Sequence, residues 1–239
     1  MWRNKKVSVI FPTYNEKDSI RSAIEDFFAS GFVDEIIVVN NNAAFGTDEE
    51  VKKTEAKIVY EKKQGYGYAI WKGLEEAEGD LLIISEPDGT FSGRDIIKLL
   101  AYSDDFNYVI GTRTTRELIW QGANMGAFLK WGNWAVAKLL EFLYNTTTLT
   151  DVGCTMRLIK RNLYEEVKPY FSIGTQHFGP ELTIIIAKHK IKFIEIPVNY
   201  KPRIGQSSVT GSFRKAVVLG LKMIWLIITY RFKRLKAKR

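Results

Sequence analysis

Residues 81–91 read LLIISEPDGTF, an apolar run that passes directly into Glu86, Pro87 and Asp88. A short, continuous apolar run is typical of a strand that is buried on both faces of a sheet. Residues two apart in an extended chain point to the same side, and the proline between the two acids fixes the backbone. We therefore predict a core strand at 80–85 that ends in two carboxylates facing one way. The pair either holds a hard divalent cation, Mg²⁺ or Mn²⁺, or forms a solvated turn.

Similar apolar runs alternate with helical patterns along the chain. We predict the other strands at 7–11, 35–39, 57–60, 107–111, 154–159 and 192–197. The spacing of apolar residues predicts helices at 17–28, 94–102, 124–144 and 180–189, and another helix that opens after the glycine turn of Gly65 and Gly67 and closes at Gly79. Alternation of this kind indicates an α/β fold, in which a Rossmann-like, mostly parallel sheet is flanked by helices on both faces.

Polar residues follow four of the predicted strands, in the sequences PTYNE, NNN, SEPDGTF and GTR. Ligands of open α/β sheets bind outside the carboxyl ends of the strands. If these four ends lie side by side, they form one polar crevice, as in nucleotide-binding proteins. We therefore expect the carboxylate pair to lie at the mouth of such a site.

The composition is that of a folded globular protein. The chain has 239 residues, of which 46% are hydrophobic and 26% are charged. Cys154 is the single cysteine, which excludes an internal disulfide and a thiolate metal cage and fits a reducing compartment. The first apolar run, about five residues long, is too short for the hydrophobic region of a signal peptide. We predict a cytoplasmic protein.

Positive charge is concentrated at the C-terminus. The last nine residues, RFKRLKAKR, hold six of the 35 lysines and arginines, and without them the net charge of +8 falls to +2. The preceding residues 216–230 are apolar except for one lysine. A 15-residue helix reaches about 22 Å, short of the roughly 30 Å of a bilayer core. We predict that 211–239 form an apolar, basic helix at the anionic inner face of the cell membrane, or one that packs on the domain or on a second copy.

Several motifs, taken in order, resemble glycosyltransferase family 2 with the GT-A fold. They are VSVIFPTYNE, QGYGYAIWKGLEEAEGDLLIISEPDGTF, VIGTR, WGNWAVAKL, TDVGCTMRLIKR, FGPEL and IPVNYKPRIGQSS. The resemblance covers about residues 5 to 210 and is strongest to polyprenyl-phosphate glycosyltransferases such as dolichyl-phosphate mannose synthase. We predict one GT-A domain at 1–210. The resemblance implies a metal-dependent, inverting transfer of a sugar from a GDP- or UDP-sugar to a polyprenyl phosphate or another lipid-linked acceptor.

The resemblance also implies a set of site residues. On the donor side they are Pro12, Tyr14, Glu16 and Asn41 around the nucleotide, with Glu86 and Asp88 as the metal motif. Around the acceptor, sugar and diphosphate they are Arg113, Lys130, Asp151, Arg157, Glu181, Arg203 and Ser207. The residues expected to act in the reaction itself are Asp88, Arg113, Asp151, Glu181 and Arg203.

Two residues depart from the family pattern. Glu86 stands where the metal motif usually begins with aspartate, and Asn41 stands where an aspartate usually reads the base. An amide can donate as well as accept hydrogen bonds, so the choice between UDP and GDP stays open. Gly65 and Gly67 precede a predicted helix, where they either contact phosphate or form a plain loop.

Three alternative functions remain open. A hydroxyl acceptor, in surface polysaccharide or glycolipid synthesis, would need a general base, for which Asp151 and Glu181 are the first candidates. The replacements at positions 41 and 86 would also fit a nucleotide-sugar-binding scaffold without activity. Only the net charge suggests nucleic acid, and because the sequence contains no recognisable nucleic-acid module, we predict no such partner.

Overall fold

The structure, a computed structural model, describes residues 1–123, 126–205 and 213–237, without the side chains of residues 127, 213 and 215. Within this part of the chain, seven strands form one sheet. The strands are β1 Val7–Thr13, β2 Glu35–Asn40, β3 Lys57–Tyr60, β4 Leu81–Ile84, β5 Tyr108–Thr112, β6 Arg157–Lys160 and β7 Ile194–Pro197. The α-helices are α1 Lys17–Phe28, α2 Thr47–Val51, α3 Tyr66–Glu76, α4 Ile96–Tyr102, α5 Ala127–Tyr144, α6 Arg161–Val167, α7 Phe178–Lys188 and α8 Phe213–Phe232.

The sheet is mostly parallel, with the strand order β3-β2-β1-β4-β6-β5-β7. β1 lies between β2 and β4 and runs parallel to both. β6 is antiparallel to its neighbours β4 and β5, whereas β7 is parallel to β5. The predicted α/β fold is therefore confirmed. The carboxyl ends of β1, β2 and β4 lie side by side, as expected from their polar end sequences.

Apolar side chains fill both faces of the sheet. Alternate residues of one strand point to opposite faces, so Leu82 and Ile84 join the core under α3, α5 and α7, whereas Leu81 and Ile83 join the core under α1 and α4. All four residues of β4 are buried. This two-sided burial explains why the central strands read as continuous apolar runs.

The structure corrects several predicted element bounds. Helices α2 and α6, of five and seven residues, were not predicted. The strand predicted at 154–159 begins at Arg157, and α3 ends at Glu76 because Ala77 is already extended. Residues 124 and 125 of the helix predicted at 124–144 lie outside the described residues.

The C-terminal helix α8 packs on the domain with one face only. Met223, Leu226, Ile227 and Tyr230 belong to the core under α5 and α7, and the hydroxyl of Tyr144 on α5 donates to the carbonyl of Ile227 at 2.8 Å. The boundary predicted at residue 210 lies in 206–212, outside the described residues, and stays a prediction. No helix in the described part of the chain is both long and apolar enough to cross a bilayer.

Candidate active site

A cavity of about 790 Å³ opens at the carboxyl ends of the parallel strands. Its polar mouth includes Thr13 at the end of β1, Asn41 after β2, Glu86 after β4 and Arg113 after β5. The predicted crevice is therefore present. Other predicted residues in its lining are Pro12, Tyr14, Glu16, Gly65 and Arg203.

The carboxylate pair after β4 has one buried and one accessible member. Asp88 is fully buried, and its Oδ1 accepts hydrogen bonds from the backbone N–H of Thr90 at 2.9 Å and from the Thr90 hydroxyl at 2.5 Å. The side chain of Glu86 is 29% exposed at the cavity wall. Burial, with the added charge of Asp88, raises the pKa of the Glu86 carboxyl to about 8.

These two carboxylates fit a divalent cation only if other ligands complete its shell. Among the described residues, no group of three or more His, Cys, Asp or Glu side chains could hold a metal ion. Mg²⁺ is commonly bound through one or two protein carboxylates together with substrate phosphates and water. The donor set of Glu86 and Asp88 is therefore that of a site completed by a diphosphate.

Arg203 lies among the acidic side chains of the mouth. Its Nη1 is 2.7 Å from Asp88 Oδ2 and 4.0 Å from Glu86 Oε2, and its Nη2 is 2.9 Å from Glu16 Oε1. The other carboxylate oxygen of Glu16 accepts from the backbone N–H groups of Tyr14 and Asn15, at 2.7 and 2.8 Å. Glu16 thus holds the turn after β1 and anchors Arg203, and the predicted contact of Glu16 with a nucleotide stays a prediction.

Arg113 is held in place by a buried ion pair with Asp151. Asp151 Oδ2 accepts from Arg113 Nε at 2.7 Å, and Oδ1 accepts from Nη2 at 2.9 Å. The backbone N–H groups of Arg113 and Gly153 also donate to this carboxylate. Glu195 accepts from the backbone N–H groups of Thr150 and Asp151 at 2.7 and 2.9 Å and so fixes this segment on β7. The pair uses one edge of the guanidinium, and Arg113 lines the cavity.

Two residues predicted for the acceptor and diphosphate side are held by buried hydrogen bonds, and their roles at the site stay predictions. Neither is among the described residues that line the large cavity. Buried Arg157 donates to the carbonyls of Val152, Cys154 and Gly179 at 2.5–2.7 Å. Glu181, also buried, accepts from the backbone N–H of Ile173 at 2.9 Å, and the hydroxyls of Ser172 and Tyr230 donate to it at 2.5 and 2.6 Å. Because Tyr230 lies on α8, Glu181 fastens the C-terminal helix to α7.

The side chain of Asn41 is fully used by the loop that follows β3. Its Nδ2 donates to the carbonyls of Glu61 and Lys63 at 2.7 and 2.9 Å. Its Oδ1 accepts from Gln64 Nε2 at 3.1 Å and from the Gly65 N–H at 2.8 Å. Base recognition by Asn41 stays a prediction and would require one of these bonds to be exchanged. Gln64, which also lines the cavity, was not predicted from the sequence.

Gly65, just before α3, and Gly67, in its first turn, allow close packing. A Cβ on Gly65 would lie 2.2 Å from the carbonyl oxygen of Gly174, and one on Gly67 would lie 2.4 Å from that of Ile173. The Tyr68 N–H donates to the same Gly174 carbonyl at 3.2 Å. The glycines are therefore required by packing, and phosphate contact at this helix terminus, where Gly65 lines the cavity, stays a prediction.

Of two further residues predicted for the site, one does not line the cavity and the other lies outside the described part of the chain, whereas one residue that was not predicted does line it. Lys130 is not among the described residues that line the cavity, and Ser207 lies outside the described residues. Asn133 of α5 lines the cavity close to the Arg113 guanidinium, since a Cβ built on Gly153 would lie within 3.2 Å of both. Sequence reasoning missed Asn133, because only the packing of α5 over the sheet brings it to the mouth.

The cavity continues from its polar mouth into an apolar groove between α5 and α8. The groove, as we call it below, is lined by Leu129, Val136, Leu139, Leu219, Met223 and Ile224. The two helices pack against each other along it. A single cavity thus presents carboxylates and arginines at one end and aliphatic side chains at the other.

Comparison with known proteins identifies the family. A dolichyl-phosphate hexose transferase of Haloferax volcanii is 25% identical over 230 residues, which cover 95% of this chain and 96% of that protein. Glycosyltransferase AglJ of the same organism is 25% identical over 82% of the chain, and this match spans 63% of the length of AglJ.

Solved structures confirm the fold. Glucosyl-3-phosphoglycerate synthase from Mycobacterium tuberculosis, crystallised with Mn²⁺, UDP and phosphoglyceric acid, superposes with a TM-score of 0.75. The match covers 97% of this chain and 80% of that one at 15% identity, so it shows the GT-A type of α/β fold alone. The model of the family described as glycosyl transferase family 2 matches residues 8–168. The chain therefore belongs to glycosyl transferase family 2.

Proposed function

We propose that this protein transfers a sugar, with inversion, from a nucleotide diphosphate sugar to a polyprenyl phosphate or a related lipid-linked acceptor. The observation that carries the proposal is the single cavity that joins the polar mouth to the apolar groove. A polyprenyl phosphate has the same two chemistries in one molecule, an anionic head and a hydrocarbon chain. The name of the full-length relative, a dolichyl-phosphate hexose transferase, supports this acceptor class.

On the donor side, Glu86 and Asp88 are the residues that would hold Mg²⁺ or Mn²⁺. Such a cation, when bound, neutralises the charge that develops on a departing nucleoside diphosphate. The turn of Pro12, Tyr14 and Glu16 borders the same mouth and is placed to contact the nucleotide. The UDP and Mn²⁺ in the crystals of the mycobacterial synthase support binding of a nucleotide and a divalent cation by this fold. The experiment described below compares UDP-sugars with GDP-sugars, and the choice between Mg²⁺ and Mn²⁺ is also left to experiment.

On the acceptor side, the geometry favours a phosphate over a hydroxyl. A hydroxyl acceptor needs a general base, but the carboxylates of Asp151 and Glu181 are each held by several donors. A phosphate is already anionic and needs positioning rather than deprotonation. Arg113, oriented by its pair with Asp151, supplies a fixed cation in the polar mouth.

The acceptor class is tested with a panel of substrates. We expect purified protein to release nucleoside diphosphate from a UDP- or GDP-sugar with a prenyl phosphate, and EDTA to abolish this release. The matching prenol and a soluble phosphate such as glycerol phosphate should each be at least about 100-fold poorer, because each lacks one of the two recognised groups. Equal activity with the prenol would contradict a phosphate acceptor. If the affinity for nucleotide sugars is the same with and without a divalent cation, and no acceptor supports turnover, the scaffold alternative is favoured.

We also propose that the outer faces of α5 and α8 dock on an anionic membrane. Trp131 on α5 is 64% exposed and Trp225 on α8 is 70% exposed. Other exposed apolar residues on these two helices are Phe128, Trp134, Phe142, Val218, Leu221, Ile228 and Phe232. Aromatic side chains with adjacent cations are typical of interfacial helices, and each lysine or arginine near an anionic surface adds up to about 1 kcal/mol. The groove would then open next to the lipid that carries the acceptor.

Vesicle sedimentation tests the membrane proposal. Wild-type protein is expected to bind vesicles that contain anionic lipid, and the double change W131S/W225S, or removal of residues 231–239, should weaken binding about tenfold or more. Phe45, which is 94% exposed in the loop between β2 and α2, provides the control variant F45S, with unchanged binding expected. Unchanged partition of the double variant, with dimers seen by analytical ultracentrifugation, would assign the same surface to a second copy instead.

A further inference from the structure

Residues 201–204, called the strap here, run alongside the loop that carries the carboxylate pair. The backbone N–H of Lys201 donates to the carbonyl of Thr90 at 2.8 Å, and that of Ile204 donates to the carbonyl of Asp88 at 2.9 Å. These two bonds fix the strap at both ends. Arg203, between them, is thereby held over the acidic side chains.

Arg203 forms an ion pair with the carboxylate oxygen of Asp88 that a bound cation would need. Asp88 Oδ1 is already used by Thr90, and Asp88 Oδ2 is 2.7 Å from Arg203 Nη1. Asp88 does not line the cavity, whereas Arg203 does, so the guanidinium covers the carboxylate. A divalent cation on the same oxygen would lie close to the guanidinium, where like charges in a partly buried site repel strongly. The cation and Arg203 in its present position exclude one another.

The present position leaves part of the guanidinium unsatisfied. Arg203 Nε is buried and has no hydrogen-bond partner among the described residues. An arginine fork suits phosphate oxygens, which can accept from two of its nitrogens at once. The carboxylates therefore balance the charge of Arg203 without using all of its donors, which indicates that a diphosphate in the adjacent mouth would satisfy it better.

We propose that Arg203 is an internal counter-ion that occupies the carboxylate pair before substrate binds and is exchanged for the divalent cation when the nucleotide diphosphate sugar arrives. The inference rests on the proposed metal site. Without donor, the arginine neutralises Asp88 and keeps the affinity for free cations low. With donor, the diphosphate provides both the missing cation ligands and a new partner for the arginine. Cation and donor binding are thereby coupled, and each strengthens the other by the same factor.

The test is Mn²⁺ binding without turnover, followed by the electron paramagnetic resonance signal of free Mn²⁺. In the absence of nucleotide, R203Q is expected to bind Mn²⁺ about tenfold more tightly than wild type, because the competing charge is gone. Lysine keeps the charge but lacks the planar fork, so R203K should gain only about threefold. The control K201Q removes the same charge from the same strap, where Lys201 Nζ lies over the Trp120 ring, and should stay within about twofold.

Adding UDP or GDP gives the second readout. The nucleotide should tighten Mn²⁺ binding much more in wild type than in R203Q, because only wild type has an arginine to relocate. Equal or weaker Mn²⁺ affinity of nucleotide-free R203Q and R203K, compared with wild type, would overturn the exchange while leaving the proposed metal site intact. If circular dichroism shows that R203Q is not folded, the Mn²⁺ affinity of R203K alone tests the exchange. Absence of Mn²⁺ binding in every variant, with and without nucleotide, would overturn the metal site and the exchange together.

Discussion

Replacing Asp88 by asparagine is expected to lower kcat/KM about 1000-fold, equivalent to about 4 kcal/mol of transition-state stabilisation. The substitution keeps the two bonds of Oδ1, because an amide oxygen can still accept from the backbone N–H and hydroxyl of Thr90. It removes the negative charge that would balance a bound cation. The loss should therefore appear in turnover and in Mn²⁺ affinity, with a lower melting temperature as well, because Arg203 loses its ion pair with the buried Asp88. Steady-state kinetics and calorimetric Mn²⁺ titration measure both.

Asp105 provides a matched control for this variant. It is exposed in the turn between α4 and β5, so D105N makes the same acid-to-amide change away from the mouth and should retain wild-type kinetics. Full activity of D88N, with Mn²⁺ affinity unchanged, would show that the acidic pair after β4 has no part in the reaction. In that case the scaffold or metal-independent interpretation would become the better one.

Replacing Asp151 by asparagine is expected to destabilise the protein by about 3 to 5 kcal/mol, because it leaves the largely buried guanidinium of Arg113 without its counter-ion. For a chain of this size, that corresponds to a fall in melting temperature of roughly 6 to 15 °C. A substitution that acts through Arg113 should also raise KM for the acceptor more than KM for the donor. Thermal unfolding and acceptor titrations at a temperature where the variant remains folded measure these effects.

An exposed ion pair serves as the comparison for D151N. Arg21 and Glu25 pair at 2.9 Å on the surface of α1, with about half of each side chain exposed, and E25Q should cost at most about 1 kcal/mol. If D151N melted within about 1 °C of wild type, the pair with Arg113 would not be structural. Loss of turnover with normal stability and normal acceptor KM would instead fit a general base and a hydroxyl acceptor.

The amino-acid pattern was sufficient to predict the α/β architecture. The bounds predicted for the helix at 17–28 and the strand at 57–60 agree with the structure. The reason is local. A central strand such as β4 must be apolar throughout because both faces of the sheet are buried, and a helix such as α1 shows its buried face in the spacing of its apolar residues. The polar end sequences likewise predicted the crevice, since the carboxyl ends of parallel strands meet at one edge. The antiparallel insertion of β6 could not be predicted, because strand order depends on pairings far apart in the chain.

The role of each charged residue was decided only by tertiary structure. Sequence motifs placed Arg113, Arg157, Glu181 and Arg203 in the site with equal weight, yet buried partners hold Arg157 and Glu181. Arg203 lies against the metal motif because the strap brings it to Glu16, 187 residues away in sequence. A charged side chain in a folded protein is available to a ligand only where other groups have not already satisfied it, and those groups come from distant parts of the chain. The sequence therefore determined the sheet and the position of its mouth, whereas the packing of α5, α7, α8 and the strap determined which charges face that mouth.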